Sequence, residues 1–147
     1  MSGFAAGPAA RLGGCSRSQL GHWRRNGVVV PSEADGTYSF RDLVALRVVV
    51  SLLDAGLPMV RVRAALELLR AAAPGGEGDA LAGLRIVTDG VSVFACYDDG
   101  QILDALRNGQ LALFVPVDRF ARALEADVAA FNGERDEFLA HLRAGSQ

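Results

Sequence analysis

The sequence contains no lysine; all fifteen of its basic residues are arginine. Beside so much alanine, glycine and valine this matches a coding bias, and no function is read from it. Cysteine is nearly as scarce, with only Cys15 and Cys96, far apart. Two such residues exclude a disulfide framework, and the absence of any CxxC spacing excludes the usual metal-binding pattern. Both thiols are expected to be buried and structural. No apolar run approaches the roughly 18 residues that a membrane-spanning helix needs. The opening MSGFAAGPAA has neither a basic leader nor a long apolar stretch, so no secretory signal is expected and the cytoplasm is the expected location.

Catalytic groups are just as thin. His22 sits in an arginine-rich stretch and His141 near the end of the sequence, with no nucleophile or acid placed to work with either. Asp98, Asp99 and Asp104 surround a turn and a helix start, where acids are ordinary. Residues 107–110, RNGQ, read as a helix stop before a strand rather than a phosphate loop. No enzyme, cofactor or metal site is expected.

What is present is a division. The 147 residues suffice for one ordinary domain or two small ones, and a hydrophobic fraction of 50% is normal for a globular chain. AAAPGGEGD, residues 71–79, ends a helical pattern with a proline and three glycines. It separates a head, residues 1–73, from a tail, residues 80–147, across a linker at 74–79. The head holds nine arginines against five acids, a balance of plus four; the tail and linker hold six against twelve, a balance of minus six. Such a split points to a head that meets a polyanion and a tail that does not, whatever the overall net charge of −2 suggests.

In the head, residues 8–12 read as a short helix closed by Gly13 and Gly14. Ser16 opens a second, with Gln19 completing a capping box, and Asn26-Gly27 stops it. Residues 28–30, three valines, read as a short strand; PSEADG turns the chain, and Thr37-Tyr38 is expected to pair back. Ser39 caps a third helix with Asp42 as its acidic third residue, and Pro58 starts a fourth. In the tail, residues 84–87 and 91–97 read as a hairpin about Asp89-Gly90. A short helix over 101–107 and a strand over 110–117 follow. A long amphipathic helix then begins near Asp118, its cap, and is expected to be interrupted at Asn132-Gly133.

The stretch CSRSQLGHWRRNGVVVP, residues 15–31, holds the densest chemistry. At 100° per residue, Leu20 and Trp23 share one side and should enter the core. Ser18, Gly21, His22 and Arg25 face away, with Arg17, Gln19 and Arg24 on the flanks. Such a face has the donors to read a major groove: arginine pairs with guanine or phosphate, glutamine with adenine, serine or histidine with phosphate oxygens. A solvated polar face on a small helix would look the same when taken alone.

The wider pattern weighs between these. AARLGGCSRSQLGHWRRNGVVVP followed by YSFRDLVALRVVVSLLDAGLPMVRVRAALELL resembles the MerR family of winged helix-turn-helix regulators over residues 8–70. The resemblance implies an α+β protein with a winged helix-turn-helix head of four helices. The tail elements read above add a small C-terminal α+β domain with a hairpin, a further strand and a long terminal helix. The resemblance implies a sequence-specific transcriptional regulator that binds double-stranded DNA as a homodimer, the tail serving dimerisation or a small-molecule or protein effector. Its recognition helix falls on residues 16–25, making Arg17, Gln19, His22, Arg24 and Arg25 the candidate DNA contacts. Ser16 caps that helix and offers its hydroxyl. Arg41 adds a phosphate contact beside the amides of its helix start, and Tyr38 is divided between core packing and a backbone contact.

Two departures stand out. Gly21 occupies an outward position where the family usually places a polar side chain. Glu33 and Asp35 sit on the wing where family wings often carry arginine. Both point to weaker DNA contact or to reliance on dimerisation. In the tail, Phe120, Leu124, Val128 and Phe131 form a helical stripe that Phe138 and Leu142 extend; it is either the tail's own core or a dimer seam. The family's metal sensors use tail cysteines, and a lone Cys96 does not fit that role. A different reading makes the chain an antitoxin-like protein-interaction module whose head autoregulates or binds DNA only weakly.

Overall fold

The computed structural model describes residues 3–72, 84–88, 92–98, 100–101 and 113–145. The first helix, α1 (Ala6–Gly13), ends because Gly14 turns left-handed at φ 81°. There the Gly14 N–H reaches the Ala10 and Arg11 carbonyls and the Cys15 N–H reaches Ala10. Gly13 is small for a packing reason: an added Cβ would lie 2.8 Å from the Leu46 side chain.

Helix α2 (Arg17–Arg25) starts on the expected capping box. Ser16 Oγ accepts from the Gln19 N–H and Gln19 Oε1 accepts from the Ser16 N–H, both at 3.0 Å. It stops at Asn26 and Gly27, the latter at φ 70°, and the Val28 N–H folds back to the Trp23 carbonyl at 2.8 Å. Leu20 and Trp23 are buried, as their spacing requires.

Residues 28–30 depart from expectation. They form no strand; Val28 and Val29 drop into the core and Val30 is half exposed. Tyr38 pairs instead with Phe4, through Phe4 N–H to Tyr38 O at 2.7 Å and Tyr38 N–H to Phe4 O at 2.8 Å. Burial of two successive valines outweighs β propensity here, since an alternating strand would expose one of them. The wing is therefore a tight turn, with the Gly36 N–H bonded to Glu33 O and Gly36 at φ 81°.

Helix α3 (Phe40–Asp54) starts on a second capping box, Ser39 with Asp42, and buries Leu43, Val44, Leu46, Val48, Val49 and Leu52. Gly56, at φ 87°, turns the chain into α4 (Met59–Ala72), which Pro58 opens by accepting from the Arg61 and Val62 amides. Beyond residue 72 the linker lies outside the described residues.

Three strands follow: β1 (Arg85–Thr88), β2 (Val93–Cys96) and β3 (Leu113–Val115). They form an antiparallel sheet in the order β2-β1-β3, with Ile86 opposite both Ala95 and Val115. The paired β1 and β2 are the expected hairpin strands, while the Asp89-Gly90 turn lies outside the described residues. So does the short helix expected over 101–107, except at Gln101, which is helical. The strand expected over 110–117 is seen at 113–115, and the helix after it begins one residue before Asp118. That helix, α5 (Val117–Gly145), runs through Asn132 and Gly133 without interruption. A single interior glycine costs only about 1 kcal/mol, less than a helix packed on one side loses by breaking.

The core is one continuous cluster. It joins Ala9 and Leu12 of α1 and Leu20 and Trp23 of α2 to the apolar face of α3, then to Ile86, Val115, Ala121 and Leu124. The first half of the α5 stripe thus packs on its own chain. Arg47 of α3 reinforces this, donating Nε to the Leu12 carbonyl at 2.8 Å and Nη2 to Asp127 at 2.7 Å. Arg11 and Glu134 add a looser exposed pair at 3.7 Å, of the kind that contributes little. Beyond it Phe138, Leu139 and Leu142 are exposed. The protein is α+β, a helix-turn-helix head under a small sheet and a long terminal helix.

Candidate nucleic-acid interface

Helix α2 is fastened from within and open outside. Leu20 and Trp23 anchor one side, while Ser16, Arg17, Ser18, Gln19, His22, Arg24 and Arg25 are all exposed. No acid occurs in the helix; Arg17 stands at the positive end of its dipole and Arg24 and Arg25 in its last turn, so the exposed face is cationic along its length.

The caps restrict what each donor can do. Gln19 Oε1 is held by the Ser16 amide, so as placed the side chain offers only its NH2 donors. Reading adenine with both groups of that amide requires opening the capping box. Ser16 Oγ accepts from Gln19, leaving its hydroxyl proton to donate to a phosphate oxygen. The His22 ring lies against the Asn26 amide, whose Nδ2 also donates to the His22 carbonyl at 2.8 Å and closes the helix. Gly21 is a smaller gap than expected: the Arg25 guanidinium folds over it, 3.2 Å from where a Cβ would stand.

Tyr38 and Arg41 are placed differently from the helix residues. Tyr38 is buried and lies in the bridge to Phe4. Burial pushes its hydroxyl pKa upward, and the charge of Arg24 partly opposes this. Arg41 is half-buried and donates Nη2 to the Leu69 carbonyl at 3.0 Å. It lines, with Arg70, Asp42 and Leu66, a groove of about 450 Å³ between α3, α4 and residues 28–32.

Three residues outside the expected set organise this face. Asp42, expected only as a cap, accepts at 2.8 Å from the Ser32 N–H, the Ser32 hydroxyl and the Ser39 N–H, tying the wing stem to the start of α3. Ser32 had no sequence signal beyond lying in a turn. Arg63 of α4 donates Nη2 to the Asn26 carbonyl at 2.8 Å, so a fourth helix grips the end of α2. Arginine early in α4 is visible in the sequence; its place beside α2 is set by the tertiary fold. At the wing tip, Asp35 accepts from the Thr37 hydroxyl and amide, which hold its carboxyl below the usual aspartate range.

Among the described residues, no group of three or more His, Cys, Asp or Glu side chains stands ready for a metal, and no helix is long and apolar enough to cross a membrane. Burial raises both thiol pKa values, that of Cys96 in spite of the nearby Arg85 charge.

Comparison with known proteins places these elements. Residues 5–69 match the family described as MerR HTH family regulatory protein. The chain is also 34% identical over 142 residues to proteins named as uncharacterized HTH-type transcriptional regulators, one from Mycobacterium bovis and others from Mycobacterium tuberculosis. The match takes in 92% of this chain but 61% of theirs, so the chain spans about three fifths of the length of these relatives.

Proposed function

We propose that the chain, whose residues 5–69 match the family described as MerR HTH family regulatory protein, is a dimeric, sequence-specific DNA-binding transcriptional regulator. Residues 1–73 bind double-stranded DNA, and residues 80–147 serve dimerisation or bind an effector. Helix α2 enters the major groove. Arg17, Arg24 and Arg25 supply charge and base-edge donors; Ser16, Gln19 and His22 supply shorter polar contacts. Arg41 offers a phosphate contact at the start of α3, and Tyr38 acts from inside, holding the wing beside Arg24. The observation that carries this reading is the outward face of α2: polar, free of acids, and fixed to the core by Leu20 and Trp23.

Glu33 and Asp35 on the wing disfavour phosphate there, so contact rests on α2 and on pairing two heads. The exposed Phe138, Leu139 and Leu142 supply an apolar face for that pairing. Genome-wide footprinting of bound DNA, paired with the oligomeric state in solution, tests the proposal. Discrete footprints with two-fold symmetry and a dimer are expected. A monomer without footprints, or a tail that captures a protein while the whole chain ignores DNA, contradicts it.

A further inference from the structure

The short segment before α1 touches both the wing and the terminal helix. On one side Gly3 and Phe4 run antiparallel to the wing's return. Phe4 and Tyr38 exchange both backbone hydrogen bonds, and the Gly3 N–H donates to Thr37 Oγ1 at 3.1 Å. The fit is close enough to demand glycine, because a Cβ at Gly3 would collide with the Tyr38 carbonyl oxygen. On the other side the Phe4 ring meets Phe131 of α5 edge to face, centroids 6.2 Å apart and planes at 60°. That is a favoured aromatic geometry. Asp127 and Glu134, one turn to either side of Phe131, pair with Arg47 and Arg11. The part of α5 that carries Phe131 is thus tied to the head by the short Arg47–Asp127 bridge, the looser Arg11–Glu134 pair and the Phe4–Phe131 contact, and the last of these leads on to the wing.

We infer that Phe4 is a positioning residue for DNA recognition: it hangs the wing turn from Phe131, so that the seating of α5 sets the place of Tyr38, which shares the head core with Leu20 and Trp23 of α2. The DNA consequence rests on the function proposed above, whereas the mechanical link does not. The link is short. Tyr38 is buried in one core with Leu20 and Trp23, and the wing stem is held besides by Asp42, by the Ser32 hydroxyl on Ser39 Oγ at 2.8 Å and by the Glu33 N–H on the Thr37 carbonyl at 3.2 Å. A displacement of α5 that withdraws Phe131 removes the packing behind Phe4 and loosens the bridge to Tyr38. By reciprocity, DNA that fixes α2, and with it the core that α2 shares with Tyr38, tightens α5.

Hydrogen exchange on the 147-residue chain tests the link without DNA. In Phe131→Ala the amides of Phe4 and Tyr38 are expected to exchange roughly five- to tenfold faster, the scale of one lost aromatic pair. Leu46 and Val48 in α3 should keep their protection. Phe131→Leu, which retains bulk, should restore most of the difference. Gly3→Ala should unseat the segment from the wing side and free the same two amides with Phe131 intact. Unchanged Tyr38 exchange in Phe131→Ala, or acceleration equal to that in α3, overturns the inference, because the first denies contact and the second reports only global unfolding.

A duplex recovered from a random-sequence pool on the wild-type chain then supplies the DNA arm. Phe131→Ala and Gly3→Ala should each weaken binding to it about tenfold without flattening the salt dependence, since no phosphate contact is removed. Undiminished affinity in both overturns the positioning role. Failure to recover any duplex, with the exchange pattern intact, overturns the proposed function instead.

Discussion

Helices α2 and α5 expose opposite kinds of surface. The nine residues of α2 bury Leu20 and Trp23 and present arginine, glutamine, serine and histidine. The twenty-nine residues of α5 bury Val117, Ala121 and Leu124 near its start, but its far half presents Phe138, Leu139 and Leu142. Water solvates the first surface at no cost, and a polyanion replaces that water with charge pairing. The second surface has an apolar area that water does not favour, and a long helix with so little beneath it gains from a cover. On the proposed reading the short helix meets DNA and the long one a second copy of the chain.

The comparison breaks most severely where each helix is fastened. Trp23→Ala removes the anchor of α2 and should cost about 3–5 kcal/mol, and Leu124→Ala about 2–5 kcal/mol, both measured by urea unfolding. Asp42→Ala leaves two amides and a hydroxyl without their shared acceptor. Because the network is partly solvated, about 2 kcal/mol is expected, with faster exchange at Ser32 and Ser39. Gly21→Ala should act in the opposite direction, stabilising by up to about 1 kcal/mol, because only the flexible Arg25 guanidinium must move aside. Leu142→Ala should change monomer stability by less than about 0.5 kcal/mol, in contrast to Leu124→Ala, while shifting any self-association seen by sedimentation.

The smallest effect is at the wing. Folding lowers the Asp35 pKa, so its ionised form is favoured in the folded state. That contribution is present above the ordinary aspartate pKa and is lost as pH falls through the lowered value. The Thr37 amide shift should follow this titration by NMR and lose it in Asp35→Asn.

Much of α2 was legible because its signals are local. Ser16 with Gln19 and Ser39 with Asp42 satisfy amides a few residues away, and Asn26-Gly27 ends a helix by its own backbone preferences. What failed to read correctly was long-range. The three valines at 28–30 have strand chemistry, yet Phe4, distant in sequence, takes the place beside Tyr38. The same limit hid Arg63 and the wider role of Asp42, whose partners lie in other elements. Asn132-Gly133 looked like a break, yet one interior glycine costs only about 1 kcal/mol and the residues after it, ERDEFLAHLRA, are largely strong helix formers. For the contacts at Arg17, Arg24 and Arg25 the sequence and the fold agree on exposure; binding itself is a question for DNA.

That question has a direct measurement: affinity for a footprinted duplex as a function of salt, for the wild type and for Arg24→Ala/Arg25→Ala. The wild type should bind more weakly as salt rises. The double variant should lose about a hundredfold at low salt, with a log–log slope shallower by about 2 if both arginines meet phosphate. Equal affinity and equal slope for the two proteins would contradict the assignment of α2 as the DNA-reading helix.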